Sequence, residues 1–138
     1  MLQKTLKFLQ DNKTFYVATV EDGKPKVRPF GLVLEYDGKL WFGTANTKSV
    51  YKQLQANPYV EISTTSPSMV WLRLSGKAVF EANMDVKRKA FELVPMLAHI
   101  YSGPDAPEFE VFYLDDACVT YWELGNNDSV PQTHRLYC

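Results

Sequence analysis

This sequence contains few cysteines and histidines, and its net charge is close to zero. Its 138 residues include two histidines and two cysteines, Cys118 and Cys138, with no CxxC pair, so neither a disulfide framework nor a metal centre is expected. A formal net charge of −1 supplies no positive field for a nucleic-acid backbone. No apolar run approaches the roughly 20 residues that span a bilayer, and the N-terminus lacks the apolar region of a signal peptide. We therefore expect a cytoplasmic protein that binds neither nucleic acid nor a membrane.

The nucleotide-binding signatures of parallel sheets are also absent. The sequence contains no GxGxxG and no Walker motif, and its apolar segments do not alternate between strand and helix as a parallel sheet requires. A length of 138 residues with 46% hydrophobic and 14% aromatic residues indicates one packed domain over residues 1–138. One fold must therefore supply any site.

Runs of alternating apolar and β-branched residues indicate a mainly β protein. Asp22-Gly23 and Asp37-Gly38 are typical of tight hairpin turns and predict an antiparallel meander of the first three strands. The six predicted strands cover residues 14–20, 26–36, 40–44, 59–65, 70–80 and 109–124, with a bulge or bend at Gly76 and a candidate break at Asp115-Asp116. Closure of six antiparallel strands removes exposed edges, so we expect a closed or nearly closed six-stranded antiparallel β-barrel.

A few helices are expected to flank this barrel. Apolar residues at helical spacing predict one helix from Leu2 to near Asp11, a short one that Asn57-Pro58 ends, and a third over residues 85–101 that Pro95 divides. The polar tail after Gly125 is expected to be loosely held.

The turn from Thr44 to Ser49, where a strand ends and a helix begins, contains the residues best suited to bind an anion. A helix N-terminus presents unpaired amide donors and the positive end of the helix dipole. The hydroxyl groups of Thr44, Thr47 and Ser49 and the ammonium group of Lys48 add to these donors, a composition that suits a phosphate. The same spacing also fits an ordinary helix start in which Asn46 or Thr47 is the N-cap and Lys48 is solvated.

Arg28 lies one hairpin upstream of this turn. If the intervening hairpin is tight, residues Arg28 to Gly31 become neighbours of Gly43 and Thr44. The guanidinium group is then placed to bind an oxyanion through two parallel hydrogen bonds, and the two glycines let a planar ligand approach the backbone. A solvated arginine on an edge strand is the alternative, and spacing alone leaves both readings open.

Several motifs together resemble those of one protein family. They are Val27-Arg28-Pro29-Phe30-Gly31-Leu32, Phe42-Gly43-Thr44 followed by Asn46-Thr47-Lys48-Ser49, Gln53-Leu54 with Asn57-Pro58, and residues 71–78 with Gly76-Lys77-Ala78. Over roughly residues 15–80 the chain resembles the pyridoxamine 5′-phosphate oxidase-like, FMN-binding split β-barrel family. The resemblance implies a homodimer with two FMN molecules at the subunit interface, where one chain holds the phosphate and the other partly covers the ring.

The resemblance also implies which residues bind the cofactor. They are Arg28, Pro29, Phe30, Gly31, Gly43, Thr44, Lys48, Ser49 and Trp71. Lys48 and Ser49 match the phosphate-binding positions, and Trp71 stands where the oxidases have a polar residue that reaches the cofactor. The oxidases have a Ser-Arg-Lys cluster where this chain reads Lys48-Ser49-Val50, so one cationic group is absent. The oxidases also have a longer C-terminal part, whose basic residues hold the phosphate of the vitamin substrate. The tail of this chain offers only His134-Arg135 in their place.

The resemblance favours an FMN-dependent oxidoreductase that acts on a small organic substrate. In such an enzyme the flavin carries the hydride transfer while the protein positions the ring and stabilises its reduced form, and the sequence identifies no protein acid or base. Two alternatives stay open: a non-catalytic flavin-binding or redox-sensing module, and a split-barrel relative that binds haem or a deazaflavin. The sequence names neither the substrate nor the electron donor and acceptor.

Overall fold

The structure, a computed structural model, describes residues 1–137; Cys138 lies outside the described residues. Its helices are α1 (Leu2–Asp11), α2 (Ser49–Ala56), α3 (Met84–Leu93) and α4 (Leu97–Ile100). Its strands are β1 (Phe15–Glu21), β2 (Lys24–Phe30), β3 (Val33–Tyr36), β4 (Lys39–Ala45), β5 (Tyr59–Thr65), β6 (Val70–Phe80), β7 (Phe109–Glu123) and β8 (Gln132–Tyr137).

All of these strands belong to one antiparallel sheet. The strand order is β2-β1-β5-β6-β7-β4-β3, and β8 pairs with β7 on the same edge as β4. β7 can take both neighbours because it pairs with β4 through residues 109–113 and with β8 through residues 117–121. β2 and β3 lie at opposite ends of this order although they are consecutive in the chain, so the sheet is not closed. The expected mainly β split barrel with flanking helices is confirmed.

Two segments make the strand count eight instead of six. The segment 26–36 is divided at Gly31-Leu32, since β2 pairs with β1 and β3 pairs with β4. Pro25 and Pro29 lack the N–H groups that a second neighbour of β2 would require, which keeps β2 at an edge. The predicted three-stranded meander is therefore wrong, and two hairpins replace it.

The C-terminal tail forms the other additional strand. The prediction of a loose tail is wrong because Leu136 and Tyr137 pack against the main core. In addition, the Tyr137 hydroxyl accepts a hydrogen bond from the backbone N–H of Leu40 at 3.0 Å. β8 is thereby held both by its ladder to β7 and by this contact to β4.

The bulge expected at Gly76 is confirmed. The β6–β7 register shifts between Ser75 and Lys77, and a Cβ atom at Gly76 would lie only 3.0 Å from the carbonyl oxygen of Asp115. β7 itself runs without a break through Asp116, which adopts a positive φ of 51°. The bulge bends the two longest strands of the barrel together.

Two clusters of buried residues form the interior. The main core lies inside the barrel around Phe15, Phe42 and Phe112, and α1 covers it with the fully buried Leu9. The second cluster packs α3 and α4 against β3, β4 and β7; its members include Leu32, Trp41, Val86, Ala90, Tyr101 and Phe109. The predicted third helix is divided as expected, with Pro95 between α3 and α4. Among residues 1–137, no helix has the length and apolar character to cross a membrane.

Candidate functional site

The turn between β4 and α2 lies open to solvent. Lys48 is the N-cap residue of α2, and its side chain makes no capping hydrogen bond. Its backbone N–H donates to the Ala45 carbonyl at 3.0 Å, and both Lys48 and Ser49 are exposed. No side chain within residues 1–137 caps the first-turn N–H groups of α2. These donors therefore face outward beside an ammonium and a hydroxyl group.

The interpretation of Asn46 or Thr47 as the N-cap is wrong. The Asn46 side-chain amide donates to the Pro107 carbonyl at 2.9 Å and to the Glu110 carboxylate at 3.0 Å. It ties the turn to the start of β7 and is therefore turned away from the helix start. The chemistry of the remaining donor set, amide N–H groups with Lys48, fits an anion such as a phosphate.

Arg28 points beneath α2 and contacts three acceptors. Its Nη1 donates to the Val17 carbonyl at 3.1 Å and to the Thr19 hydroxyl at 2.7 Å, and its Nη2 donates to Gln53 Oε1 at 2.6 Å. Gln53 lies one helical turn after Ser49. Arg28 thus reaches α2, the helix that follows the turn, through its hydrogen bond to Gln53. The strand that carries Arg28 pairs with β1 and not with β4.

Gln53 is the centre of this polar cluster. Its Oε1 also accepts from the Thr19 hydroxyl at 2.5 Å, and its Nε2 donates to the Glu21 carboxylate at 3.1 Å. Thr19 and Gln53 are both buried. Partial burial lowers the pKa of Arg28, and the nearby Glu21 carboxylate partly opposes that shift; the guanidinium group still keeps its charge at neutral pH. The cluster therefore holds the Arg28 guanidinium group under α2, with the Glu21 carboxylate as a nearby counter-charge.

Two donors of Arg28 remain available. A guanidinium group has five N–H donors, and the three hydrogen bonds above use three of them, so two find no acceptor among residues 1–137. Sequence reasoning missed the roles of Thr19 and Gln53. The available signal was a glutamine between the apolar Val50 and Leu54 on the buried face of α2, since a buried polar side chain requires partners.

The other residues of the β2 segment lie at the rim of the barrel. Pro29 and Gly31 are exposed. Phe30 is half-buried, with its ring centroid 6.4 Å from those of Phe15 and Phe112. Phe30 thus contributes to the edge of the main core, and the two exposed residues lie where the chain passes from β2 to β3.

Gly43 and Thr44 are placed at the end of β4. A Cβ atom at Gly43 would lie 2.8 Å from Leu32 Cδ2 and 3.0 Å from Phe109 Cε1, so these two side chains would have to shift to admit any larger residue. Thr44 is buried and lies opposite Glu110 in the β4–β7 ladder. Both residues come directly before the turn at Lys48.

Trp71 lies at the opposite end of the barrel from the turn. Tyr51, in the first turn of α2, contacts Phe80 at the end of β6 with ring centroids 4.8 Å apart. Trp71 is nine residues earlier on the same strand, up to about 30 Å away at roughly 3.3 Å per residue. It contacts Trp122 at 5.5 Å and lies under the Arg73 guanidinium at 4.9 Å. One chain therefore does not bring Trp71 to the turn.

Metal chemistry has no candidate residues in the described part of the chain. No group of three or more His, Cys, Asp or Glu side chains within residues 1–137 is arranged to hold a metal ion. The polar chemistry around α2 is thus that of amide, hydroxyl, ammonium and guanidinium donors.

Several solved structures share this fold. A NimC/NimA family protein from Clostridium acetobutylicum is 36% identical, with a TM-score of 0.87 over 96% of this chain and 92% of that chain. A pyridoxamine 5′-phosphate oxidase-related, FMN-binding protein from Nostoc punctiforme is 17% identical, with a TM-score of 0.70 over 96% of this chain and 88% of that chain. HutZ, the haem storage protein from Vibrio cholerae, is 17% identical, with a TM-score of 0.65 over 82% of this chain and 87% of that chain.

Sequence comparison gives the family itself. No curated protein matches the chain. The family model of pyridoxamine 5′-phosphate oxidase, however, matches residues 1–123, from α1 to the end of β7. Together with the identity to the Clostridium protein, this match covers every element of the candidate site. The chain therefore belongs to the pyridoxamine 5′-phosphate oxidase family.

Proposed function

We propose that the protein binds FMN through the turn at Lys48 and Ser49 and is a flavin-dependent oxidoreductase for a small organic substrate. The observation that carries the proposal is the start of α2, where uncapped N–H groups lie beside an exposed ammonium and an exposed hydroxyl group. A phosphate supplies the acceptors and negative charge that these donors lack. The FMN-binding protein of the same fold from Nostoc punctiforme supports the choice of flavin.

The Arg28 cluster supports the same placement. Its guanidinium group lies beneath the helix and retains two unused N–H donors. The departure from the oxidases at Val50 removes one cation, and Val50 is buried in the main core. Lys48 is therefore the residue in the turn that neutralises the phosphate, and Ser49 adds a hydroxyl donor.

The proposal includes a homodimer. Trp71 lies too far from the turn of its own chain to cover a flavin held there, so a second copy has to supply it. The outer face of the sheet offers an apolar surface for that copy, with Tyr16, Val27 and Tyr59 at 51%, 66% and 66% exposure. Such a surface is typical of a protein–protein interface.

Bound flavin supplies hydride transfer. The chain's own residues contribute binding and placement: Lys48 and Ser49 hold the phosphate, the Arg28 cluster holds α2 against β1, and Trp71 of a second copy covers the ring. The cofactor thus carries the reaction, and the protein fixes the position of the ring relative to a substrate.

The visible absorbance of the purified protein tests the cofactor first. We expect the flavin spectrum, its loss on addition of a reductant such as a nicotinamide nucleotide, and its return with an electron acceptor. A yellow protein that no donor reduces would identify a non-catalytic flavin module. A haem spectrum, or a colourless protein that ignores added FMN, would overturn the proposal.

The phosphate contact is tested by the double substitution Lys48→Ala with Ser49→Ala. Because riboflavin lacks the phosphate, we expect affinity for FMN to fall about 100-fold, the loss of two charge-assisted contacts, while affinity for riboflavin changes less than threefold. Lys24→Ala, at the exposed β1–β2 turn, is the matched charge control. Fluorescence titration measures both ligands, and equal losses for the two would show that the phosphate lies elsewhere.

A further inference from the structure

The chain leaves the sheet immediately before the turn at Lys48. The pairing of β4 with β7 ends at Ala45, and one further backbone hydrogen bond joins the Asn46 N–H to the Glu108 carbonyl at 2.9 Å. The Lys48 N–H then donates to the Ala45 carbonyl at 3.0 Å and closes a four-residue turn. Asn46 therefore stands between the sheet and the donors of α2.

The Asn46 side chain extends this attachment beyond the backbone ladder. Its amide nitrogen donates to the Pro107 carbonyl at 2.9 Å and to the Glu110 carboxylate at 3.0 Å. A side-chain amide has two N–H donors, and these two acceptors use both. The side chain thus holds the corner of the turn at two points of the segment that leads into β7.

The other side chains of the turn have no such attachment. Among residues 46–49, only Asn46 forms a side-chain hydrogen bond to another of residues 1–137. Lys48 and Ser49 are exposed, so their positions depend on the backbone and on Asn46. Gln53 holds α2 one helical turn later, through Arg28. The start of the helix is therefore fixed to β7 by Asn46.

The acceptors around Asn46 favour an amide over an acid or an apolar side chain. A carboxylate at this position would face the Glu110 carboxylate, and two like charges at that distance repel each other. An apolar side chain would leave the Pro107 carbonyl and Glu110 without their donor. The amide satisfies both acceptors and adds no negative charge beside the turn.

We infer that Asn46 is a positioning residue for phosphate recognition. It holds the turn against β7, so that the amide, ammonium and hydroxyl donors are ordered before the ligand arrives, and such preorganisation raises affinity. The inference rests on the proposed function. It adds that phosphate affinity depends on a residue whose own N–H donors are occupied by the protein.

Titration of Asn46→Ala with FMN and with riboflavin tests the inference. We expect FMN to bind about tenfold more weakly and riboflavin to change by less than about threefold, because only FMN has a phosphate for the turn. Asn83→Ala is the matched control, since Asn83 also makes a structural hydrogen bond, as the N-cap of α3. It is expected to change neither affinity. Equal weakening of both ligands by Asn46→Ala would overturn the inference.

Hydrogen exchange gives a readout without any ligand. The Lys48 amide hydrogen is held by the Ala45 carbonyl, so its exchange reports how firmly the turn is closed. NMR is expected to show faster exchange at Lys48 in Asn46→Ala and unchanged exchange in Asn83→Ala. Unchanged exchange in both variants would show that Asn46 does not order the turn.

A double-mutant cycle shows whether Asn46 acts through Lys48 and Ser49. In the protein that carries Lys48→Ala with Ser49→Ala, adding Asn46→Ala is expected to weaken FMN by less than about twofold. A second full loss would overturn the inference, because Asn46 would then act independently. If Lys48→Ala with Ser49→Ala fails to separate FMN from riboflavin, the proposed function fails and the inference with it. If that pair separates them and Asn46→Ala does not, the inference alone fails.

Glu110 offers a rescue of the contact. Asn46→Asp is expected to weaken FMN at least as much as Asn46→Ala, because it sets two carboxylates against each other. Adding Glu110→Gln exchanges donor and acceptor between the two positions. We expect this addition to restore most of the FMN affinity of Asn46→Asp and to leave Asn46→Ala weak. Equal recovery in both variants, or in neither, would overturn the inference.

Discussion

Gln53 illustrates how one buried polar residue joins three elements of the site. Its side chain on α2 accepts from Arg28 of β2 and Thr19 of β1 and donates to Glu21 at the end of β1. The described residues contain no buried side-chain nitrogen or oxygen atom without a hydrogen bond. Gln53 consequently determines both how Arg28 is buried and how α2 packs against β1.

The substitution Gln53→Leu tests this role. Leucine fits the apolar neighbours but leaves Arg28 Nη2 and the Glu21 carboxylate without their partner. We expect the free energy of unfolding to fall by about 2 kcal/mol, the usual range for a lost hydrogen bond to a charged group. Urea unfolding without added ligand measures it. Gln55→Leu, exposed on the same helix, is the control, and an equal effect of the two substitutions would contradict the role of Gln53.

Local patterns predicted most individual elements because their signals lie within a few residues. The Asp22-Gly23 and Asp37-Gly38 turns, the Gly76 bulge and the division at Pro95 all depend on the backbone properties of one or two residues. The division of residues 26–36 into β2 and β3 depends on which strands pair, and hydrophobic alternation continues unchanged across Gly31-Leu32. Pairing between distant segments is therefore what the sequence alone did not reveal.

The same distinction applies to the candidate site. The exposed turn at Lys48 was predicted from adjacent residues, but its N-cap was not, because Asn46 bonds to Pro107 and Glu110, more than 60 residues away. Likewise, the contact between Arg28 and Gln53 spans 25 residues and two strands. Side-chain partners of this kind are set by tertiary packing.

β8 offers a test of how the tail is held. Burial raises the pKa of Tyr137 to about 12, above the value near 10 of an unfolded chain. Between about pH 10 and 12 the unfolded chain loses this proton while the folded protein keeps it, so stability falls as pH rises. A pKa shift of this size corresponds to at most about 2.7 kcal/mol in the free energy of unfolding. Solvent screening at the partly exposed ring makes the contribution smaller.

Tyr137→Phe removes this titration. We expect the variant to be less stable than the parent at pH 8, because Leu40 loses its acceptor, and the difference to shrink between pH 10 and 12. Urea unfolding followed by tryptophan fluorescence at pH 8, 10 and 11 measures it. Tyr51→Phe, at a half-buried tyrosine of α2, is the control. A variant that loses stability with pH as steeply as the parent would show that Tyr137 is not the group responsible.

For the whole molecule, the distance between Trp71 and the Lys48 turn decides how many chains build one proposed flavin site. In the proposed homodimer, each site takes its phosphate turn from one chain and its tryptophan from the other. If one chain formed the site alone, Trp71 would have to reach the turn from the far end of β6. The two arrangements predict different FMN binding by a dimer in which each chain carries a different substitution.

Mixed dimers separate these arrangements. One chain carries Lys48→Ala with Ser49→Ala, the other carries Trp71→Ala, and two affinity tags isolate the mixed species after co-expression. A shared site predicts one intact and one doubly defective site, hence one tightly bound FMN per dimer by fluorescence titration. Each parental variant dimer is expected to bind FMN weakly at both sites. If the mixed dimer bound as weakly as its parents, the turn and the tryptophan would have to act within one chain, because every site would then carry a single defect.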